Sequence, residues 1–178
     1  MVINFWILGQ FLTLTSYIIF WISRFIKNKN NILLYDNISR IVGIISFACL
    51  GTYDGIKYTI FTILRNIMGQ LTNEKLKNYK KIFFLIMFVI LVLMNIFEFN
   101  GIATICILIC GTLNLYAVIM CDEQGIRKLG MLGSVFYNLF MFVTGNIAGV
   151  VCETICFCVM LASYIKYKNI NKIEVTSN

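Results

Sequence analysis

Apolar residues run along this chain in seven blocks separated by short polar connections. The blocks are approximately Ile3–Phe25, Ile38–Tyr53, Ile56–Leu71, Ile82–Phe97, Ile102–Cys121, Ile126–Val143 and Ile147–Ile165. An α-helix rising ~1.5 Å per residue needs roughly 20 residues to cross a hydrocarbon layer ~30 Å thick. Several blocks fall a little short of that, which local thinning and polar residues buried between helices accommodate. The pattern predicts an all-α polytopic membrane protein with seven transmembrane helices.

The connections alternate in charge. Arg24, Lys27, Lys29 and Arg40 flank the first. Lys75, Lys77, Lys80 and Lys81 fill the third, Arg127 and Lys128 close the fifth, and Lys166, Lys168 and Lys172 follow the last block. Of the 15 Lys and Arg residues, only Lys57 and Arg65 lie elsewhere. Basic residues accumulate on the cytoplasmic side of a membrane and set orientation. The partition therefore predicts an outside N-terminus and a cytoplasmic C-terminus. Aromatic residues stand where the interfaces should be: Phe5, Trp6 and Tyr53 outside, and Trp21, Tyr79, Tyr164 and Tyr167 inside. The polar stretch Asn169–Asn178 is expected to be a mobile tail.

Composition sharpens this picture. The 178 residues are 60% hydrophobic with a mean hydropathy of +0.84, leaving no room for a soluble catalytic domain. The net charge of +7 lies in short clusters between apolar blocks, as anionic headgroups favour. No basic face interleaved with stacking aromatics accompanies it, so nucleic acid is not an expected partner. The first block lacks a basic leader and runs the length of a full span, so it reads as a helix rather than a cleavable signal. The seven cysteines sit in or at the ends of apolar blocks, no histidine exists, and no CxxC pair occurs. They read as small packing residues, and neither metal nor cofactor is expected. Cys152 and Cys156 share a helix face one turn apart, a spacing compatible with redox or soft-metal work, though the plainer reading is packing. The absence of proline, with heavy Ile, Asn and Lys usage, fits an AT-rich bacterial genome.

Arg65 and Glu153 interrupt the third and seventh blocks, and charges at such depth usually face a protein interior and serve function. Counted from Asp54 and Gly145, they lie ~16 Å and ~12 Å below the outer surface. The two positions belong to an internal repeat. Ile38-Ser39-Arg40-Ile41-Val42-Gly43-Ile44-Ile45-Ser46 parallels Ile126-Arg127-Lys128-Leu129-Gly130-Met131-Leu132-Gly133-Ser134, with Arg40 on Arg127 and Gly43 on Gly130. One residue of slippage later, Arg65-Asn66 falls on Glu153-Thr154. Three helices, one odd helix and three more make two parallel triple-helix bundles joined by a linker helix, a known transporter plan. The expected division is residues 1–72 and 100–168 for the bundles, 73–99 for a cytoplasmic loop and the linker, and 169–178 for the tail. The fourth block, Phe83 to Met94, is apolar all round, as a linker with no cavity to line would be.

This arrangement resembles the SWEET sugar facilitators and the wider PQ-loop clan. Phe47-Ala48-Cys49-Leu50-Gly51-Thr52-Tyr53 followed by Ile63-Leu64-Arg65-Asn66 resembles the YgjV family of bacterial inner-membrane proteins. So do Gly130-Met131-Leu132-Gly133-Ser134, Tyr137-Asn138 and Gly149-Val150-Val151-Cys152-Glu153. In SWEETs, polar residues of the third and seventh helices hold the sugar. The resemblance thus implies a site at Arg65, Asn66, Glu153 and Thr154. The chain has no proline, so it lacks the Pro-Gln signature and kinking prolines of SWEETs, and the likeness carries architecture rather than sugar specificity.

Small-residue stripes lead toward these positions: Gly145, Gly149 and Glu153 in the seventh block, and Gly130, Ser134 and Asn138 in the sixth. Gln10, Asn114 and Tyr137 are secondary candidates. Two readings stand. In one, Arg65, Asn66, Asn138, Glu153 and Thr154 bind a small polar or zwitterionic solute between the bundles of an inner-membrane transporter or facilitator. In the other, Arg65 and Glu153 form a static bridge in a non-transporting receptor or structural partner. An enzyme is not expected, since no Ser–base pair, second carboxylate or phosphate-cradling loop accompanies Glu153. The expected partners are the lipid bilayer and a small polar solute, and a homo-oligomer is compatible with either reading.

Overall fold

Asn28 ends the first connection by capping a helix: its side chain accepts from the Asn30 backbone N–H at 2.8 Å. That cap starts the second helix well before the apolar block does. In the computed structural model, which describes residues 2–51, 53–74, 76–96, 101–143 and 147–176, the helices are α1 (Val2–Arg24), α2 (Lys29–Leu50), α3 (Tyr53–Glu74), α4 (Lys80–Ile96), α5 (Gly101–Met120), α6 (Glu123–Val143) and α7 (Ile147–Thr176). A single 3₁₀ turn, Lys77–Tyr79, precedes α4. Among the described residues there is no strand.

Two boundaries depart from the apolar pattern. α2 begins at Lys29 rather than near Ile38, which takes Asp36 into the helix. α7 continues to Thr176, so most of the expected mobile tail is helical. The α7 extension is mostly polar, and the α2 extension interrupts its apolar Ile32–Tyr35 with Asn30, Asn31, Asp36 and Asn37, so neither continues an apolar block.

Among the described residues, six helices are long and apolar enough to cross a membrane; α3, with its Arg65, Asn66, Gln70 and Asn73, is not one of them. The chain divides into two compact units, Met1–Lys75 and Leu76–Asn178. In the first, α2 packs against both α1 and α3. In the second, α6 packs against both α5 and α7, and α4 lies on α5.

The α1–α2 seam is a ladder of small and hydroxyl residues. Thr13 and Ser46 meet at 2.6 Å, Ser46 donates to the Gly9 carbonyl at 2.7 Å, and Ser16 donates to the Ser39 carbonyl at 2.9 Å. A Cβ on Gly9 would stand 2.7 Å from the Leu50 side chain, so glycine is what lets these helices approach. The α4–α5 seam is apolar, with Leu91 against Gly111 and the Phe84 and Tyr116 rings edge to face at 5.9 Å. Gly51 ends α2 in the left-handed conformation, φ 71°, where a side chain is strained, and its N–H turns back to cap the helix.

Apolar side chains such as Phe11, Ile102 and Phe142 point outward, while Asp36, Asn66, Arg127 and Ser163 are buried. The interior also holds apolar side chains such as Ile32, Leu33, Leu91 and Leu115, and it is the many outward apolar side chains that suit hydrocarbon as the surrounding medium.

Candidate functional site

In the first unit, one carboxylate gathers charge from all three helices. Asp36 sits on α2, two turns inside its N-terminus, and is almost wholly buried. Its Oδ2 lies 3.7 Å from Arg24 Nη2 of α1 and 3.7 Å from Arg65 Nη2 of α3. Its Oδ1 lies 3.3 Å from Arg40 Nε, one turn along α2. Asn66 Nδ2 donates to Asp36 Oδ2 at 2.8 Å and to Asn37 Oδ1 at 3.0 Å. Arg65 in turn donates from Nε and Nη2 to Asn66 Oδ1, at 3.2 and 3.0 Å.

Sequence spacing explains how these groups meet. Asp36 and Arg40 are i, i+4 on α2, so both face the same way. Arg65 and Asn66 are adjacent on α3, and both turn toward α2. Arg24 occupies the last turn of α1, beside the connection that leads into α2. Phe20 supplies the wall: the Arg24 and Arg40 guanidiniums lie 4.1 and 5.1 Å from its ring centroid. Along α3, ~14 Å of helix separates Arg65 from Glu74. Nearer the α3 end, the same seam carries amides, with Gln70 Nε2 donating to the Asn30 carbonyl and Asn73 Nδ2 to Asn30 Oδ1.

The second unit holds the other expected residues in simpler company. Ser134 Oγ donates to Glu153 Oε2 at 3.3 Å, joining α6 to α7. Asn138 Nδ2 donates to Thr154 Oγ1 at 3.1 Å, and Thr154 also donates back to the Val150 carbonyl. Ser134, Asn138 and Thr154 line a groove of about 390 Å³ whose other walls are apolar residues such as Phe142 and Phe157. Arg127, which the repeat places opposite Arg40, is buried. Its Nε donates to Ser163 Oγ at 2.9 Å and its guanidinium lies 4.4 Å from the Tyr167 ring.

The structure thus joins Arg65 with Asn66, and Asn138 with Thr154, each within one unit. Arg65 and Glu153 belong to different units, and each has a polar neighbour in its own. Among the secondary candidates, Asn114 bonds to the Cys110 carbonyl and Sγ, Tyr137 stacks on Phe140, and Gln10 is exposed. Gly145 lies outside the described residues. Missing from the sequence reading were Asp36, Arg24 and Arg40 as one cluster. The available signal was Asn28 as an N-cap, which pulls Asp36 into the helix and leaves its charge needing a partner.

Among the described residues, seven helices with many large apolar side chains exposed, six of the helices long and apolar enough to span, define a multi-pass membrane protein. The match of residues 7–170 to Imp-YgjV, a bacterial inner membrane protein family, identifies which: the chain belongs to that family. Neither a curated protein nor a solved structure matches it.

Proposed function

We propose that the protein is a small transporter or facilitator of the bacterial inner membrane that takes a small polar or zwitterionic solute. The observation that carries this reading is the cluster around Asp36. A static tie between helices needs one cation for one carboxylate. Here three arginines from three helices crowd one acid, and the Arg40 side chain is still 34% exposed, so the cluster has an open edge. Arg65 and Asn66 are then the residues that meet the solute's charged group. Within the second unit, Glu153, Asn138 and Thr154 are the polar side chains that would contact a solute. The charge partition supports an outside N-terminus and a cytoplasmic C-terminus with α3 as a seventh span. The repeat supports two triplets joined by α4. No catalytic step is assigned.

A second reading is favoured by one observation: Asp36 and Asn66 are sealed from solvent. In that reading the cluster is a permanent brace, and the protein is a receptor or structural partner. Proteoliposome uptake separates the two. Screening sugars, amino acids, vitamins and small organic acids should find a solute whose uptake falls at least tenfold in Arg40→Gln. Its side chain is the more exposed, so folding should survive. A well-folded protein with no flux for any of them leaves the brace.

A further inference from the structure

We infer that the groove between α6 and α7 binds an uncharged lipophilic alcohol: apolar side chains take its body, and Asn138 Oδ1 accepts its hydroxyl hydrogen. This goes beyond the transport reading, because binding here needs no passage across the membrane.

The lining pattern argues first. α6 brings Val135, Asn138 and Phe142, and α7 brings Val150, Thr154 and Phe157, each set spaced to fall on one helix face. Each face runs apolar, polar, aromatic, and the two polar members meet at 3.1 Å. None of the described residues that line the groove is charged. At about 390 Å³, with mostly apolar walls and a few polar groups, it has the character of a small-molecule site. Val135, Leu139 and Phe142 are exposed along its rim, so the groove opens sideways from α6. A ligand would enter there from hydrocarbon rather than from water.

The hydrogen bonds say what the ligand must bring. Ser134 Oγ donates to Glu153 Oε2, and Thr154 Oγ1 donates to the Val150 carbonyl. With its hydrogen engaged, the Thr154 hydroxyl can only accept, so Asn138 presents Nδ2 to it. That turns Asn138 Oδ1 away, and this oxygen is buried with no hydrogen-bond partner among the described residues. A buried acceptor left unmade is costly, and hydrocarbon offers no donor to relieve it. As a tie between helices, the pair needs only the Nδ2 bond; the oxygen is surplus to that role. Lipid esters and phosphates bring further acceptors, whereas a hydroxyl brings the missing donor. An ammonium would also donate, but its charge would meet no charged residue in the lining. Phe142 lies one turn from Asn138 and is 76% exposed, so the wall beside the amide can swing as a ligand enters.

The alcohol is either a bilayer lipid or a smaller molecule that partitions into the bilayer, and the test has an arm for each. Full-length protein is placed in nanodiscs of phosphatidylcholine, a lipid without a hydroxyl donor. A diazirine-bearing dodecanol is photolysed in the disc, and labelled peptides should map to α6 and α7 around Asn138 and Thr154. Dodecan-1-ol should compete about tenfold better than its methyl ether or dodecane at equal concentration in the disc, as one hydrogen bond to a buried acceptor allows. Asn138→Leu removes the oxygen and should abolish that preference. If Asn138→Leu does not fold, Thr154→Val frees Nδ2 to turn into the groove and should let the ether compete as well as the alcohol. In the second arm, hexan-1-ol matching dodecan-1-ol supports the site with a small alcohol as ligand, and weaker competition supports it with a long-chain lipid alcohol. Equal competition by alcohol, ether and alkane in the unmodified protein, or labelling spread evenly over the helices, overturns the inference. So does an alcohol preference that survives in Asn138→Leu or Thr154→Val.

Discussion

Asn66 stands between Asp36 and Arg65 and touches both: its amide nitrogen donates to the carboxylate at 2.8 Å while its amide oxygen accepts from the guanidinium at 3.0 Å. The acid and the base are therefore bridged by a neutral side chain as well as facing each other directly at 3.7 Å. In a buried setting such a bridge fixes the relative rotation of α2 and α3 as well as the charge pairing.

Breaking this arrangement one charge at a time should be severe. Asp36→Asn should lower unfolding stability by ~3–5 kcal/mol, because it leaves buried arginines facing no carboxylate at this point, and Arg65→Gln should cost less, since Arg24 and Arg40 still face Asp36. The double change should cost clearly less than the sum of the two. Unfolding in detergent micelles measures all three. Additive losses would show that the two residues do not share one network.

Ser46 tests the other seam. Ser46→Ala removes the bonds to Thr13 and to the Gly9 carbonyl, and interhelical hydrogen bonds in membranes average ~0.6 kcal/mol. A loss of that order is expected. Ser46→Leu should cost ~1–3 kcal/mol, since Gly9 brings α1 too close for a larger side chain.

The pattern of apolar blocks made seven helices legible to within a turn at most ends, because lipid-facing surface has to be apolar wherever it lies. Arg65 and Asn66 were legible as the polar interruption of one block. Asp36 was not: Asp36 and Asn37 precede the apolar run from Ile38, so they read as loop until Asn28 is recognised as a cap. Polar turns at the end of α7 escaped for the same reason. Which arginine meets which carboxylate depends on helix rotation, and periodicity alone does not fix rotation for three helices at once.

Gly133 offers a packing test in the second unit. A Cβ there would stand 2.9 Å from Asn114 Nδ2, whose amide is tied to Cys110. Gly133→Val should destabilise by ~1–3 kcal/mol, and Asn114→Ala in the same protein should recover part of it. Thermal melting of the two variants checks this, and no recovery would mean the α5–α6 approach is limited elsewhere.

Orientation can be read directly. A fluorescent reporter fused after Asn178 should be active in the cytoplasm, and a cysteine introduced at Asn100 should react with an impermeant reagent from outside. A periplasmic C-terminus would remove the seven-span reading together with the parallel repeat built on it.

The polarity of α3 has a consequence for how the chain is made. Arg and Asp cost ~2.5–3.5 kcal/mol each when a helix enters the bilayer centre alone. α3 carries Arg65 on the face that also bears Asn66, and it lacks the apolar length of the other six helices. α2, which leaves the ribosome first, presents Asp36 and Asn37 to that face, and Gly51 turns the chain sharply from one helix to the next. α3 would then leave the translocon as the second arm of a hairpin, with its arginine already matched to the aspartate made some thirty residues earlier. Slowing translation just after α2 should strand that arm at the membrane surface, whereas the same pause after α5 should do no comparable harm.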